Sequence, residues 1–335
     1  MFLTRRVLSS ARCLSSRPCV VFTRNRSLWA PSTTSLNEKA LDEWVASDKT
    51  LAVSDTLHPE HLSDLYITLP TRDGSIEPYH APQIGEPLPY GHHFAFFHPR
   101  NPESLLRSDG TDADFCPPEP FTRRMWAGGS IRWKLWGKEG LHVGDSVKAV
   151  TRIKDVKKKG FNRDGTPMVF VKQLIEYSKE GSDQVAIEEE RSHVYLAAPA
   201  HRRPVKEVEQ QQHIVERGPL LNLEFTPSST TLFRFSALTF NGHLIHLDKD
   251  YARSEGYPER LVHGPLSALM LLELVNYGLS MEIGHFEYRA YNPMLVNRPI
   301  VLNAQWNGQH ELALWAADKE TGTIGMAGSV WRRGI

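Results

Sequence analysis

The stretch Leu261-Val-His-Gly-Pro-Leu-Ser-Ala-Leu-Met-Leu-Leu-Glu-Leu-Val-Asn-Tyr277 decides the fold. Pro265 suits the first position of a helix, where its missing N–H would have no partner in any case. The spacing predicts a helix over 264–277, with Leu266, Leu269, Met270, Leu271, Leu272, Leu274 and Val275 covering nearly the whole circumference. A helix that is apolar all round has no face to give to water and is buried. Four strands are predicted after it: Phe286–Ala290, Ile300–Trp306, Glu311–Ala317 and Thr323–Trp331, with Asp318 to Gly322 as the last hairpin turn. One buried helix followed by antiparallel strands implies a curved sheet wrapped on that helix.

Working outward, Thr231–Phe240 reads as a further strand. Residues 199–218 are polar, charged and poor in large apolar groups, and are the expected interdomain linker. Before them, Ser146–Val156, Met168–Tyr177 and Val185–Leu196 read as strands. Lys157-Lys158-Lys159-Gly160 and Arg163-Asp164-Gly165 supply turn chemistry between the first two. Tyr90–His98 is aromatic and fits a buried strand or helical segment, and Pro70–Pro89 reads as loop. Helical spacing returns at Asn37–Val45 and Pro59–Tyr66. The earlier half thus ends in strands like the later one but has no equally apolar helix. The expected fold class is α+β: two helix-wrapped antiparallel sheets in tandem, over residues 50–198 and 219–335.

Composition narrows the function. The 335 residues suffice for two domains, and 40% are hydrophobic. Formal net charge is zero, which gives no global field for nucleic acid. No apolar run reaches the roughly 18 residues of a spanning helix. Of the three cysteines, Cys13 and Cys19 lie near the N-terminus, which leaves Cys116 alone, without a disulfide framework or a zinc site. Residues 1–30 carry Arg5, Arg6, Arg12, Arg17, Arg24 and Arg26 with several serines, and the first acidic residue is Glu38. Wound as a helix, Leu3, Val7, Ala11 and Leu14 share one face, with Arg5 and Arg12 opposite. An amphipathic, Arg-rich, acid-free segment reads as a mitochondrial transit peptide, and places the mature chain in the matrix.

Chemistry concentrates in Phe235-Ser-Ala-Leu-Thr-Phe-Asn-Gly-His-Leu-Ile-His-Leu-Asp-Lys-Asp-Tyr-Ala252. This stretch resembles the signature of the MaoC-like (R)-specific enoyl hydratases, which have the hot-dog fold. Thr239, Ile245, His246, Asp248, Tyr251 and Ala252 match by spacing. The family's catalytic His falls on His246, its catalytic Asp on Asn241 and its Asn on His243, while Phe240 replaces a Gly and Leu244 a Pro. The variant pattern is similar to one branch, the fungal mitochondrial 3-hydroxyacyl-thioester dehydratases and the hydratases of mesaconyl- and itaconyl-CoA. Pro87-Leu-Pro-Tyr-Gly-His-His-Phe-Ala-Phe-Phe97 and Arg123-Arg-Met-Trp-Ala-Gly-Gly129 look like that branch too, so the resemblance spans residues 50–335.

The resemblance implies a dehydratase or hydratase of acyl thioesters, carried by CoA or acyl carrier protein. It implies no cofactor and no metal, and, since hot dogs generally work in pairs, side-by-side halves or a homodimer. Removing water from a 3-hydroxyacyl thioester needs a base for a weakly acidic α-proton and donors for the enolate-like oxygen. His246 is the expected acid/base, and an Asn241 amide can hold the water. The family's oxyanion donor falls on Gly264, whose N–H is unpaired at a helix start and whose lack of a side chain lets a ligand come close. His243, His263 and Asp248 are expected to contact substrate. Trp126-Ala-Gly-Gly129 is a candidate worn counterpart of this helix start in the first half. Three histidines could suggest a metal, but no further ligand is evident. Glu273, inside the apolar helix, offers a thioesterase as a rival enzyme, and the missing Asp offers an inactive thioester-binding module. Protein isolated from mitochondria is expected to lack residues up to about 30; N-terminal sequencing that finds Met1 or Phe2 in place would overturn the targeting assignment.

Overall fold

The computed structural model describes residues 36–162, 166–197, 218–279 and 281–334. The arginine-rich segment, the Arg163-Asp164-Gly165 turn and nearly all of the expected linker lie outside the described residues. Helix α1 (Glu38–Ala46) is capped by Asn37, whose side chain accepts from the Ala40 N–H. Strand β1 (Thr50–Thr56) and helix α2 (Pro59–Tyr66) follow, then a long loop with a short 3-10 turn at His92–Ala95. Strands β2 (Arg123–Trp133), β3 (Ser146–Lys159), β4 (Met168–Lys179) and β5 (Val185–Leu196) complete the first half. The second half repeats the plan. It has β6 (Leu221–Phe225) and helix α3 (Ser229–Leu238), short helices α4 (Leu244–Leu247) and α5 (Lys249–Ser254), and the long helix α6 (Gly264–Gly278). Strands β7 (Ile283–Ala290), β8 (Ile300–Trp306), β9 (Glu311–Asp318) and β10 (Ile324–Arg332) close it.

The ten strands form one antiparallel sheet in the order β1-β3-β4-β5-β2-β7-β10-β9-β8-β6. Each half is a five-stranded sheet, and the order of one is the order of the other reversed across the β2–β7 seam. There Ile131 pairs with Phe286 and Gly129 with Tyr288. The halves therefore lie side by side, as expected of a double hot dog.

Helix α6 packs on β6, β8 and β9 of its own half and on the His92–Ala95 turn of the other. Leu266 through Val275 are all buried. The first half supplies no helix like it. Instead Leu62, Leu65, Phe94 and Phe96 join the same apolar core as Leu269 and Leu272. Tyr90–His98 is therefore neither strand nor full helix but a short turn that lids α6.

Two expectations are corrected. Thr231–Phe240 is a helix, not a strand. Ser228 caps α3 through a reciprocal box with Thr231, and Leu232, Phe235 and Leu238 bury at helical spacing while Phe233 stays exposed. Its β-branched and aromatic content mimics a strand. Trp126-Ala-Gly-Gly129 starts no helix; it lies in β2, at the centre of the sheet. Strands β1, β2 and β6 also lie outside the elements predicted from sequence. Of these, Leu221-Asn-Leu-Glu-Phe225 alternates cleanly and is readable as a strand.

Glu273 is a structural group. Its carboxylate accepts from the Arg72 guanidinium at 2.7 and 2.9 Å and from the Thr71 hydroxyl at 2.7 Å. Arg72, followed by His92, holds its pKa down at about 2 against the cost of burial. His92, fully buried beside it, is pushed down to about 4 by desolvation first and by Arg72 second. His246 is likewise at about 4 through burial. A group whose folded pKa is depressed stabilises fully above its unfolded pKa and loses that contribution as pH falls through the folded value. For these histidines the window is about 6.5 down to 4. Each then costs about 1.4 kcal/mol per pH unit below 6.5. The Tm is expected to drop steeply between pH 6.5 and 4.5 in calorimetric scans, and a flat Tm over that range would contradict the neutral buried state of these rings.

Candidate active site

The site begins where α3 ends. The Thr239 hydroxyl donates to the Phe235 carbonyl at 2.7 Å, and Phe240 turns the chain with a left-handed φ of 46°. The Asn241 N–H then donates back to the Ser236 carbonyl at 2.8 Å. The Asn241 Oδ1 accepts from the His243 N–H at 3.0 Å, a local Asx turn. One side of the Asn241 amide is thus committed to the loop. Its NH₂ faces the cleft with no partner among the described residues.

The first half clamps this loop. Leu244 N–H donates to the Asp109 carbonyl at 2.9 Å. A Cβ on Gly110, whose φ is +82°, would lie 2.1 Å from the Gly242 carbonyl oxygen. The two glycines let two backbones touch, and this explains Gly242 between Asn241 and His243.

His246 sits on α4. Its Nδ1 lies 2.8 Å from the Leu261 carbonyl. A carbonyl can only accept, so Nδ1 carries the proton and the Nε2 lone pair is left for the cleft. Burial keeps the ring neutral. Behind it His263 stacks at 3.7 Å between ring centroids, and in turn lies 2.8 Å from the Ser236 hydroxyl. His243 stands edge-on to His246 at 5.4 Å and is held well below its ordinary pKa by burial and then by His246. Its Nε2 is 3.9 Å from Asp109 Oδ2, an ion-pair distance longer than a hydrogen bond.

Asn241, His243, His246 and Gly264 from the second half line one cleft of about 910 Å³, together with Arg124, Trp126 and His193 from the first. Two expected contacts are not there. His263 is fully buried behind His246 and does not line the cleft, because its place under the stacked ring leaves no open edge. Asp248 caps α5, accepting from the Asp250 and Tyr251 N–H groups, and lies outside the cleft. Gly264 also differs from its expected use. The room above its Cα is filled by the Trp126 indole, 2.8 to 3.0 Å from where a Cβ would sit. The glycine admits Trp126, while its N–H at the start of α6 stays outside the helical bonding pattern.

Sequence reasoning missed Asp109, Arg124, Trp126 and His193. Arg124 and Trp126 stand within Arg123-Arg-Met-Trp-Ala-Gly-Gly129, a stretch whose mix of cations and small residues was a legible signal. Nothing local marks Asp109 or His193, since only the tertiary fold brings them to the loop.

This is the fold of the MaoC-like hot-dog dehydratases. Similar solved structures include a MaoC-like dehydratase from Phytophthora capsici (13% identity, TM-score 0.60, covering 90% of this chain and all of that one). Another is HtdX of Mycobacterium tuberculosis (17%, TM-score 0.59, 84% and 99%). The hydroxyacyl-thioester dehydratase type 2 family matches residues 91–296, and the chain belongs to it. Its relatives include a mesaconyl-C(4)-CoA hydratase of Chloroflexus aurantiacus, 37% identical over 236 residues, which are 69% of this chain and 79% of the relative. A mitochondrial hydroxyacyl-thioester dehydratase type 2 of Schizosaccharomyces pombe is 31% identical over 269 residues, 72% and 81% of the two chains.

The Trp126 contact gives a sign to Gly264→Ala. Helix propensity alone would favour Ala by about 1 kcal/mol in a helix interior. The rigid indole is tighter than any ordinary contact, and overpacking costs about 1–3 kcal/mol. Net destabilisation of about 1–2 kcal/mol is expected in urea titration followed by Trp fluorescence; a stabilised variant would show that Trp126 does not pack there.

Proposed function

We propose that the chain interconverts (3R)-3-hydroxyacyl thioesters and 2-enoyl thioesters with loss or gain of water. One observation carries this. A neutral imidazole with a fixed tautomer presents Nε2 to a cleft whose wall is the N-terminus of a buried helix. In the dehydrating direction, the thioester oxygen takes the Gly264 N–H, which stabilises the negative charge that builds as the α-proton leaves. Nε2 of His246 removes that proton. The C3–O bond breaks, the C2=C3 bond forms, and the imidazolium returns the proton to the departing hydroxyl, so that water is released. The Asn241 NH₂ holds that oxygen without itself titrating. Hydration runs the same steps in reverse.

Family membership and the two relatives support this chemistry, and neither they nor the geometry favours a thioesterase, since Glu273 is paired away from the cleft. The names of the fungal relatives and the arginine-rich N-terminus support a mitochondrial role, in the matrix, in fatty acid synthesis on CoA or acyl carrier protein thioesters. The Chloroflexus relative favours a second reading, hydration of a C5-dicarboxylate CoA ester such as mesaconyl- or itaconyl-CoA.

Hydration of crotonyl-CoA, followed by loss of enoyl absorbance, tests the roles. His246→Ala is expected to lower turnover by about 100-fold or more. Asn241→Asp keeps the oxygen that accepts from His243 but places a carboxylate near His246. That charge raises the imidazole pKa, so the acid limb of the pH profile is expected to move to higher pH and activity at neutral pH to fall. Unchanged turnover in His246→Ala overturns the assignment. An inactive parent that Asn241→Asp makes active favours a thioester-binding module instead.

A further inference from the structure

The wall of the cleft that the first half supplies carries a cation with nothing seated on it. On β2, Arg124 pairs with Tyr195 of β5, and Trp126 pairs with His193. Residues two apart along a strand share a face, and diagonal neighbours lie within reach of a long side chain. Arg124 and His193 are such neighbours, and both line the cleft.

Arg289 also lines the cleft but is exposed to water, and the other arginines near Arg124 are occupied. Arg123 binds the carboxylate and carbonyl of Glu255. Arg107 donates to the carbonyls of Phe121 and Thr122 at 3.1 and 2.7 Å. Arg191 donates to Glu189 at 2.5 and 2.9 Å. Arg124 has no hydrogen bond or ion pair among the described residues. The carboxylates whose field reaches it are Asp109 and Asp112. Asp109 takes the Thr111 hydroxyl at 2.6 Å and lies 4.0 Å from Arg107, and Asp112 takes the Asn101 amide at 2.9 Å. Beside Arg124, His193 is 7% exposed and its Nδ1 has no partner.

A guanidinium drawn partly out of water and left unpaired costs several kcal/mol unless an anion joins it. A fatty acyl chain laid against it would deepen that cost. The phosphates of a CoA or carrier-protein thioester lie at the far end of a long pantetheine arm, whereas Arg124 stands two residues along β2 from Trp126, whose indole packs on Gly264, and lines the same cleft as His246. We propose that Arg124 and the Nδ1 of His193 form a carboxylate-binding subsite, and that the acyl group processed in this cleft bears a second carboxylate close to its reacting carbons. The planar guanidinium takes both carboxylate oxygens, and His193 in its Nδ1–H tautomer donates to one of them. The inference rests on the acyl-thioester reading above and selects, within it, monothioesters of dicarboxylic acids over fatty acyl thioesters.

The test is binding by the full chain of freshly prepared succinyl-CoA and butyryl-CoA, two saturated esters with no double bond to hydrate and no 3-hydroxyl to lose, which differ in a terminal carboxylate against a methyl group. The carrier is common to both, so its phosphates cancel from the ratio. The parent is expected to bind succinyl-CoA about 30-fold more tightly, or about 2 kcal/mol. Arg124→Gln is expected to collapse the ratio to about 3-fold or less, and Arg124→Lys, which keeps charge but not the planar fork, to leave an intermediate ratio. Equal affinities in the parent, or an Arg124→Gln or Arg124→Lys variant that weakens both esters alike, would overturn the subsite. Crotonyl-CoA hydration measured beside it separates the two readings. Turnover without a succinyl preference defeats the subsite and leaves the hydratase, and failure to bind either ester together with absent turnover defeats both.

Discussion

Helix α6 has no face that tolerates water, and one five-stranded sheet cannot enclose it. Full burial of its seven large apolar side chains is worth on the order of 10–20 kcal/mol, at about 1.5–3 kcal/mol each. That gain is available only if something covers the side its own sheet leaves open. In this chain the cover comes from the other half: the His92–Ala95 turn and the apolar residues of α2. The first half therefore need not build a long helix of its own, and it does not. It keeps the strand order of its partner while spending its loop on another half's core. The pairing of the halves follows from this shared core as much as from the β2–β7 seam.

The same constraint positions the site. Once α6 is covered, its N-terminus emerges between the halves, and each half contributes one wall. The second half brings the loop Asn241–His246, shaped by an Asx turn and fixed by the Leu261 carbonyl. The first half brings β2, whose Trp126 fills the space over Gly264, and the Asp109–Gly110 loop that grips Gly242. Neither wall would hold its geometry without the other. The tautomer of His246 is set by a backbone carbonyl and its ring plane by the stack on His263, so the orientation of the base needs no carboxylate partner.

What the sequence disclosed follows the range of the forces involved. Helix α6 was legible because its burial writes itself along one contiguous stretch, and β5 and β8 because alternation or apolar runs are local. Helix α3 was not, since Thr231, Phe233 and Phe235 carry strand propensity, and only the Ser228–Thr231 cap and tertiary burial override it. In the site, His246 and Asn241 were singled out through the resemblance to a family signature, and the fold places both on the cleft. Asp248 matched that signature equally well yet serves as a helix cap, because a carboxylate before a helix answers both descriptions. Arg124 and His193 stand 69 positions apart in the chain, and only the β2–β5 register makes them neighbours.

The replacement of the family's Asp by Asn241 fits the charge balance of this cleft. A carboxylate at 241 would face the same space as Arg124 and would offer that cation an internal partner, or repel an incoming anion across the low-dielectric gap. An amide does neither. It keeps the turn through Oδ1, supplies a donor for water through its NH₂, and adds no negative charge beside His246. The nearest carboxylate to the histidines, Asp109, is buried behind His243 with one oxygen bound to Thr111 and does not line the cleft. Carboxylates do line other parts of this large cleft, among them Asp112 and Glu255, but Asp112 is taken by the Asn101 amide and Glu255 by Arg123. On the mechanism proposed above, Asn at 241 leaves the proton chemistry to one imidazole and the positive field of Arg124 to whatever anion enters.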